Sequence, residues 1–398
     1  MCDELSIRQT AIRQRLSGEH IETICRTLQR SESWFYKWWH RYLESGPDGL
    51  YDLSRGNCQV VNRISPHIER AIIGIRRRLA AHATTQDRYS HIGAAQIQAE
   101  LDILGYAPRP SIRTIHRILA RAGLSNPPIR LAPCISRNEY PGPQAQDSNQ
   151  LHQVDGVGPR YLQKSTVRYY FLTYKDTFDQ SIYMEFVENR QMSTVMEFLI
   201  HAWQQLGIPA HLQFDNGREF CGFGTAAHWL SRVIRLCLRV GIEPIFIPQG
   251  TPQYNGSVEN FNGWFQPLLL DQPFEHPREV REELQRLIKT VNEQHVHTKL
   301  GGRTAAQYRR GKRIRKVPAN FCIDQQKLPI AIGKVTFIRL VSLQGTIRLL
   351  DQVFTIGKRY KGRYVTGTIY TKSHTLKIYQ KGKLIKEFPY ALSKNKNS

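Results

Sequence analysis

The 398-residue chain carries 56 Lys and Arg against 33 Asp and Glu, which gives a formal net charge of +23. Because such a charge attracts polyanions, the composition favours binding to nucleic acid. Its 40% hydrophobic residues exclude a disordered polymer, and its length predicts two to four domains. No apolar run approaches the roughly 20 residues that span a bilayer, so a membrane-spanning protein is excluded.

The N-terminal sequence MCDELSIRQT lacks the features of a signal peptide. The seven cysteines are scattered singly, without Cys-x-x-Cys spacing. This distribution is typical of a reducing compartment and predicts no zinc cluster. We therefore expect a cytoplasmic protein.

Residues 1–55 are predicted to form helices. Hydrophobic residues recur at helical spacing over residues 21–28, and after a short turn Ser31 is placed to cap a second helix. A short helix, a tight turn and a basic helix with an aromatic inner face are typical of a helix-turn-helix DNA-binding domain, although a small helical bundle is the alternative. The inner face is predicted to consist of Trp34, Phe35, Trp38 and Tyr42, and the DNA-contacting residues are Lys37 and Arg41.

Residues 65–123 are predicted to contain three further helices. The last begins near Ser111 and carries three arginines, one helical turn apart, on its outer face. Such a stripe is commonly just solvated, but on a chain this basic it favours contact with phosphates. We predict a second helical DNA-binding domain, of helix-turn-helix or winged-helix-like type, with contacts at Arg113, Arg117 and Arg121.

The remaining chain is predicted to consist of a linker and two domains. Residues 124–148 are rich in proline, which predicts a linker. Residues 149–310 begin with three strand patterns and continue with strand–helix alternation, which predicts an α/β domain with a mixed sheet. Residues 328–392 alternate short strands with glycines, which predicts a small all-β, SH3-like barrel that binds DNA. The basic segment before it is predicted to follow a phosphate backbone through Arg309, Arg310, Lys312 and Arg313.

Two predicted strands of the α/β domain end in carboxylates. Asp155 precedes a glycine in QVDG, and Asp215 precedes Asn-Gly in FDNG. Turn chemistry explains either residue alone, but two parallel strands would bring both to the edge where open α/β sheets hold their sites. Adjacent carboxylates raise each other's pKa unless a cation lies between them, and Mg²⁺ is a hard cation that prefers oxygen ligands. The pair therefore predicts a magnesium site.

A third carboxylate is predicted on the helix within TPQYNGSVENFNGWFQPLLL. Glu259 falls on the polar side of this helix, although a lone glutamate there is more often a surface residue. Amide side chains are predicted to contact DNA beside the carboxylates, at Asn216, Asn255, Asn262 and Gln266.

The motifs QVDG, FDNGREF and TPQYNGSVENFN, in this order, resemble the signatures of retroviral-integrase-like DDE transposases, and of the bacterial insertion-sequence type in particular. The resemblance covers residues 150–310 and implies an RNase H-like core. It implies that Asp155, Asp215 and Glu259 hold two Mg²⁺ ions, with Mn²⁺ as a substitute. The implied activity is metal-dependent 3′-end cleavage of transposon ends and strand transfer into target DNA, by a homo-oligomer on double-stranded DNA in the bacterial nucleoid. An accessory ATPase or target-selection protein is left open.

The sequence departs from the family pattern in two places. Glu259 lies 44 positions after Asp215, more than in the commoner members, and Gln266 stands where relatives often carry Lys or Arg. Gln266 can hydrogen-bond a phosphate but does not neutralise it. Two other classes stay open: a catalytically silent DNA-binding regulator derived from a transposase, and an RNase H-type nuclease. The three carboxylates argue against the regulator, and the predicted DNA-binding domains argue against the nuclease.

Overall fold

The computed structural model describes residues 4–52, 64–125, 140–222, 229–324 and 328–392. The chain forms two compact units, Met1–Ile64 and Ser65–Ser398. The second unit includes the predicted second helical domain, the α/β domain and the C-terminal strands. Of the predicted linker, residues 126–139 lie outside the described ranges. None of the helices described is long and apolar enough to cross a bilayer.

The first unit contains three helices: α1 Glu4–Leu16, α2 Ile21–Leu28 and α3 Glu32–Ser45. Ser31 caps α3 as predicted, because its side chain accepts a hydrogen bond from the backbone N–H of Trp34 at 3.2 Å. Phe35 and Trp38 are buried, and the guanidinium of Arg8 lies 3.7 Å from the centroid of the Trp38 ring. The helical prediction for this segment, with an aromatic inner face on the last helix, is confirmed.

The second unit begins with three helices, α4 Pro66–Thr85, α5 Ala94–Ile103 and α6 Ile112–Arg121. Ser65 and Ser111 cap the first and the last of them. The helices pack on one another through fully buried aliphatic side chains, namely Ile72, Ile97, Leu101 and Ile115. This packing orients the outer face of α6 towards solvent.

The α/β domain contains five strands of a mixed sheet: β1 Leu151–Arg160, β2 Tyr169–Asp176, β3 Ile182–Val187, β4 His211–Phe214 and β5 Glu243–Phe246. Strands β1, β2 and β3 are antiparallel neighbours, whereas β4 pairs in parallel with both β1 and β5. The predicted mixed sheet is therefore confirmed.

Five helices belong to this domain: α7 Met192–Gln205, α8 Arg218–Cys221, α9 Arg232–Val240, α10 Gly256–Leu270 and α11 Pro277–Gln294. Two hydrophobic cores form, one around α7 and α9 and the other around α10 and α11. The second core also includes Tyr89, from the segment between α4 and α5. Beside it, Thr290 on α11 donates a hydrogen bond to Asp87 at 2.6 Å. These contacts attach the helices α4–α6 to the α/β domain.

The C-terminal strands differ from the closed barrel predicted for residues 328–392. The core is followed by three short elements: β6 Val296–His297, β7 Arg303–Thr304 and α12 Ala305–Arg309. The C-terminal segment then contains the strands β8 Lys334–Leu340, β9 Thr346–Leu349, β10 Gln352–Thr355, β11 Tyr364–Tyr370, β12 Thr375–Gln380 and β13 Lys383–Pro389. Strand β8 pairs in parallel with β5, which gives one nine-stranded sheet in the order β13-β12-β11-β8-β5-β4-β1-β2-β3. Strands β9 and β10 form a separate hairpin. The SH3-like barrel is not confirmed, because the first of these strands continues the core sheet.

Candidate active site

The register of the two central strands brings the predicted carboxylates together. Gln153 on β1 lies opposite Gln213 on β4 in the parallel pairing. Two residues further on, on the same face of each strand, stand Asp155 and Asp215. Asp215 directly follows Phe214, the last residue of β4. The pairing therefore places Asp155, in the middle of β1, beside Asp215 at the C-terminal end of β4, where open sheets of this class hold their sites. The prediction that the first strand ends at Asp155 is wrong, because β1 continues to Arg160.

The start of α10 is attached to the same two strands by hydrogen bonds from both glutamines. The side-chain oxygen of Gln153 accepts from the backbone N–H of Val258 at 3.1 Å, and the side-chain amide of Gln213 donates to the carbonyl of Tyr254 at 2.6 Å. Because Val258 directly precedes Glu259 and Tyr254 lies just before α10, the bonds bring that carboxylate close to Asp155.

Asn255 completes this attachment. Its amide donates to the carbonyl of Val154 at 3.1 Å, and its side chain is only 1% exposed. The side chain of Asn255 is therefore buried against β1 in this structure, which does not favour the predicted DNA contact.

The three carboxylates act electrostatically on one another. Burial raises the pKa of Asp155 and of Asp215, and the backbone N–H groups of Gly156 and Gly217, each 2.8 Å away, partly offset this effect. Burial also raises the pKa of Glu259, and the negative charges of Asp155 and Asp215 raise it further. The edge of the sheet thus concentrates negative charge that the protein does not fully compensate.

Asn262, one helical turn after Glu259, lies within this site. It is 4% exposed, and its amide nitrogen donates to Oδ2 of Asp155 at 2.8 Å. Its buried Oδ1 has no hydrogen-bond partner among the described residues. Buried acceptors are nearly always paired, so an unpaired oxygen beside a carboxylate indicates a place for a cation or a donor.

The donor set fits a hard divalent cation. Among the described residues, no group of three acidic, histidine or cysteine side chains is already drawn together at metal-binding distances. However, burial raises the pKa of Asp155, Asp215 and Glu259, and neighbouring carboxylates raise it further. A cation beside them would favour the charged carboxylates and so oppose both effects. The oxygen-only chemistry of these residues and of Asn262 matches the preference of Mg²⁺.

Two charged residues at this site are not among the predicted site residues: Arg190, for which no signal was seen, and Glu219, which the sequence offered only as one further acid. Their side chains form an ion pair, with 3.1 Å between Nη1 and Oε1. The charge of Arg190 lowers the pKa of both Asp155 and Asp215, against the larger effect of burial. Glu219 lies within the FDNGREF motif, but Arg190 lies between β3 and α7, where no motif indicated a role.

A third missed residue, Arg160, lies at the far end of the polar side of α10. Its Nη2 donates to Oε1 of Gln266 at 2.6 Å. Both side chains are half-buried. The end of β1 therefore adds a positive charge at the position where Gln266 has none.

The structure also corrects the predicted roles of Asn216 and Arg309. Asn216 donates to the carbonyl of Ile247 at 2.6 Å and accepts from Arg339 at 2.8 Å, so both ends of its amide are used inside the protein. Arg309 forms ion pairs with buried Asp176 and Asp179. Both side chains are directed into the protein, where Asn216 donates to a backbone carbonyl and Arg309 donates to two buried carboxylates.

The other predicted DNA contacts differ in exposure. Arg41 is half-buried and donates to the carbonyl of Tyr51 at 2.7 Å, and half-buried Lys312 pairs with Asp147. Arg121 is exposed and pairs with Glu69 at 2.9 Å. The remaining predicted contacts are exposed: Lys37, Arg113, Arg117, Arg310 and Arg313.

Comparison with known families agrees with this architecture. Two models described as integrase core domain match residues 145–252 and 240–304. Two models described as homeodomain-like domain match residues 3–51 and 34–119. The matched core ranges include Asp155, Asp215 and Glu259.

The solved structures that match parts of the chain include retroviral integrases. The HTLV-2 integrase catalytic core domain in complex with magnesium is 21% identical, with a TM-score of 0.33 over 42% of this chain and 99% of its own. The simian T-cell lymphotropic virus intasome is 18% identical, with a TM-score of 0.37 over 75% and 97%. The BIV integrase catalytic core is 19% identical, with a TM-score of 0.31 over 40% and 93%. The family models therefore show an integrase core domain over residues 145–304, preceded by homeodomain-like domains over residues 3–119.

Proposed function

We propose that the chain is a DNA transposase, which binds the terminal repeats of its element and catalyses metal-dependent 3′-end cleavage and strand transfer. The observation that supports this most is the convergence of Asp155, Asp215 and Glu259, whose pKa values are all raised by burial and, to a smaller extent, by neighbouring carboxylates. A protein without catalysis has no need of three converging carboxylates, which cost stability.

In this proposal Asp155, Asp215 and Glu259 hold two Mg²⁺ ions, or Mn²⁺ in their place. Bound there, such ions activate the attacking oxygen and stabilise the leaving 3′ oxygen. Asn262 keeps Asp155 in position through its amide, and the backbone N–H groups of Gly156 and Gly217 orient the two aspartates. Second-sphere bonds of this kind fix the direction of a ligating carboxylate.

The DNA strand that enters the site would follow the polar side of α10. Gln266 offers hydrogen bonds there, and the guanidinium of Arg160 adds the positive charge. Exposed basic residues on the helix-turn-helix domains, such as Lys37 and Arg117, would hold more distant phosphates. A DNA-bound homo-oligomer is part of the proposal.

The decisive experiment is a strand-transfer assay with Mg²⁺ or Mn²⁺, a labelled end of the element and a supercoiled target plasmid. Wild type should give joined products, whereas Asp215→Asn and Glu259→Gln should lose at least about 10²-fold in rate. The matched control is Glu282→Gln, which removes an exposed carboxylate from α11 and should retain activity.

Two outcomes would select another class. If wild type binds the end tightly but neither cuts nor joins it with either metal, the DNA-binding regulator is correct. If it cleaves RNA–DNA hybrids and joins no DNA, the RNase H-type nuclease is correct.

A further inference from the structure

The ion pair between Arg190 and Glu219 lies beside the backbone of both catalytic aspartates. A Cβ atom placed on Gly156 would lie 3.2 Å from Cδ and 3.4 Å from Nη1 of Arg190. The arginine therefore crosses the residue that follows Asp155. The other half of the pair approaches Asp215 in the same way.

Glu219 reaches Asp215 across a second glycine. A Cβ atom on Gly217 would lie 2.8 Å from Oε2 of Glu219 and 2.9 Å from Oδ1 of Asp215. The carboxylates of Glu219 and Asp215 therefore both lie beside Gly217. Because Oε1 of the same Glu219 binds Arg190 at 3.1 Å, the pair connects the surroundings of both aspartates.

The two members of the pair differ in exposure. The side chain of Glu219 is 14% exposed, whereas that of Arg190 is 36% exposed. The guanidinium also lies 5.1 Å from the centroid of the Tyr170 ring, which restricts its position. Glu219 and Tyr170 therefore hold an arginine whose head still reaches solvent.

This arrangement suits the binding of a phosphate. A guanidinium has five N–H donors in a planar fork, and one carboxylate oxygen uses only part of them. Glu219 is the one carboxylate within ion-pair distance of Arg190 in the described part of the chain. A cation here also reduces the repulsion between an anionic DNA strand and the acidic site.

We propose that Arg190, oriented by Glu219, donates hydrogen bonds to a phosphate of the DNA strand that enters the site of Asp155 and Asp215. Arg190 touches the substrate, and Glu219 is a positioning residue. The inference rests on the proposed function in that DNA is the substrate. It requires no chemical step by either residue.

The test measures the affinity for a double-stranded oligonucleotide of the element end against salt concentration, without catalysis. Loss of one phosphate contact reduces the slope of log K against log salt by about 1. Arg190→Ala should show this loss and about tenfold weaker binding. Arg281→Ala removes an equal charge from the exposed side of α11 and should bind as wild type does.

Two further variants separate contact from folding. Arg190→Lys keeps the charge and should keep the slope, while it loses strand-transfer rate because the fork is gone. Glu219→Gln keeps the charge of Arg190 and should also keep the slope, with a lower rate at saturating DNA. Thermal unfolding of every variant identifies any loss that comes from misfolding.

A methylphosphonate at the phosphate that Arg190 contacts, found by substituting each phosphate of the entering strand in turn, gives the sharpest control. This substitution removes the charge that Arg190 contacts, so wild type and Arg190→Ala should then bind the oligonucleotide equally. Equal slopes for wild type and a folded Arg190→Ala on normal DNA would overturn the inference. Failure of wild type to join DNA while Arg190→Ala still lowers the slope would instead overturn the proposed transposase activity alone.

Discussion

Two groups of acidic residues in the α/β domain differ in whether the protein itself compensates their negative charge. Asp155, in the middle of β1, and Asp215, just after β4, are half-buried and have raised pKa values. Asp176 and Asp179, at the other end of the sheet, are fully buried. Burial alone would raise the pKa of Asp176 as well, but the charges of His152 and Arg309 lower it to about 2.

The difference lies in the internal partners. Arg309 donates to Asp176 at 2.8 Å and to Asp179 at 2.7 Å, and it also binds the carbonyl of Leu206 and the side chain of Asn149. Every donor that these aspartates require comes from the chain itself. At the opposite edge, the partners of Asp155 and Asp215 leave the charge uncompensated. A buried acid with its own cation is structural, whereas an acid without one is suited to bind a ligand.

The largest effect is expected when the cation is removed from the compensated group, Asp176 and Asp179. Arg309→Ala leaves Asp176 and Asp179 buried without their cation and should reduce the free energy of unfolding by about 3–5 kcal/mol. The neighbouring exposed residue provides the control, because Arg310→Ala should change stability by less than about 0.5 kcal/mol. Chemical denaturation of both variants measures the difference. Equal stabilities would mean that the network around Arg309 contributes nothing.

The second prediction concerns a substitution that displaces Asp215, in the uncompensated group, without changing its charge. A Cβ atom at Gly217 would lie within 2.9 Å of carboxylate oxygens of Asp215 and Glu219, which are the mobile ends of side chains. Gly217→Ala should therefore reduce strand transfer about 100-fold, as a displacement of about 1 Å at a reacting centre does. Its thermal unfolding should stay close to that of wild type. A variant with full activity would contradict the geometry of this edge.

The third prediction concerns stability against pH. Because the pKa of Asp215 is raised in the folded protein, the folded state binds more protons than the unfolded state between the ordinary and the raised pKa. The contribution of Asp215 to the free energy of unfolding therefore decreases as the pH rises through that window. Asp215→Asn should therefore be more stable than wild type at neutral pH, by about 1 kcal/mol, and the gap should close below about pH 4.

Added Mg²⁺ provides the companion measurement for Asp215→Asn. The ion should raise the unfolding temperature of wild type, because a ligand that binds only the folded state stabilises it. It should raise that of the variant much less. A variant less stable than wild type at neutral pH would mean that the charge of Asp215 is already compensated.

The smallest expected effect concerns Arg160. Arg160→Ala should reduce the salt slope of DNA binding by about 1, because one phosphate contact is lost. Adding Gln266→Lys to that variant should restore the slope, since the two side chains are in contact at 2.6 Å. Gln266→Lys alone should not lower affinity. If the double variant stays as weak as Arg160→Ala, the two positions do not serve the same phosphate.

The carboxylates Asp155 and Asp215 were predictable because the short apolar strand pattern before each of them is encoded locally. The capped helices α3 and α6 were predictable for the same reason. The internal hydrogen bonds of Asn216 and Asn255 were not predictable because a polar side chain on a favourable face can equally bind buried carbonyls, which the sequence does not distinguish. Arg190 was missed because it reaches Gly156 only after the chain has folded.

The C-terminal strands show a second limit. The alternation of strand patterns and glycines predicted that these strands form, but it did not indicate which edge of the sheet β8 would join. That edge is β5, where Phe246 and Phe337 stack with ring centroids 5.0 Å apart. Local patterns determine that a strand forms, whereas its partner depends on the shapes of distant surfaces.

The pairing of β5 with β8 has a consequence for where the folding unit ends. In a chain cut after residue 310, β5 would be an open edge with unpaired backbone groups and the bare ring of Phe246. Such edges recruit strands from other molecules, so the shortened protein should aggregate. We therefore expect that the core needs the C-terminal segment at least through β8, because this strand covers the edge of β5.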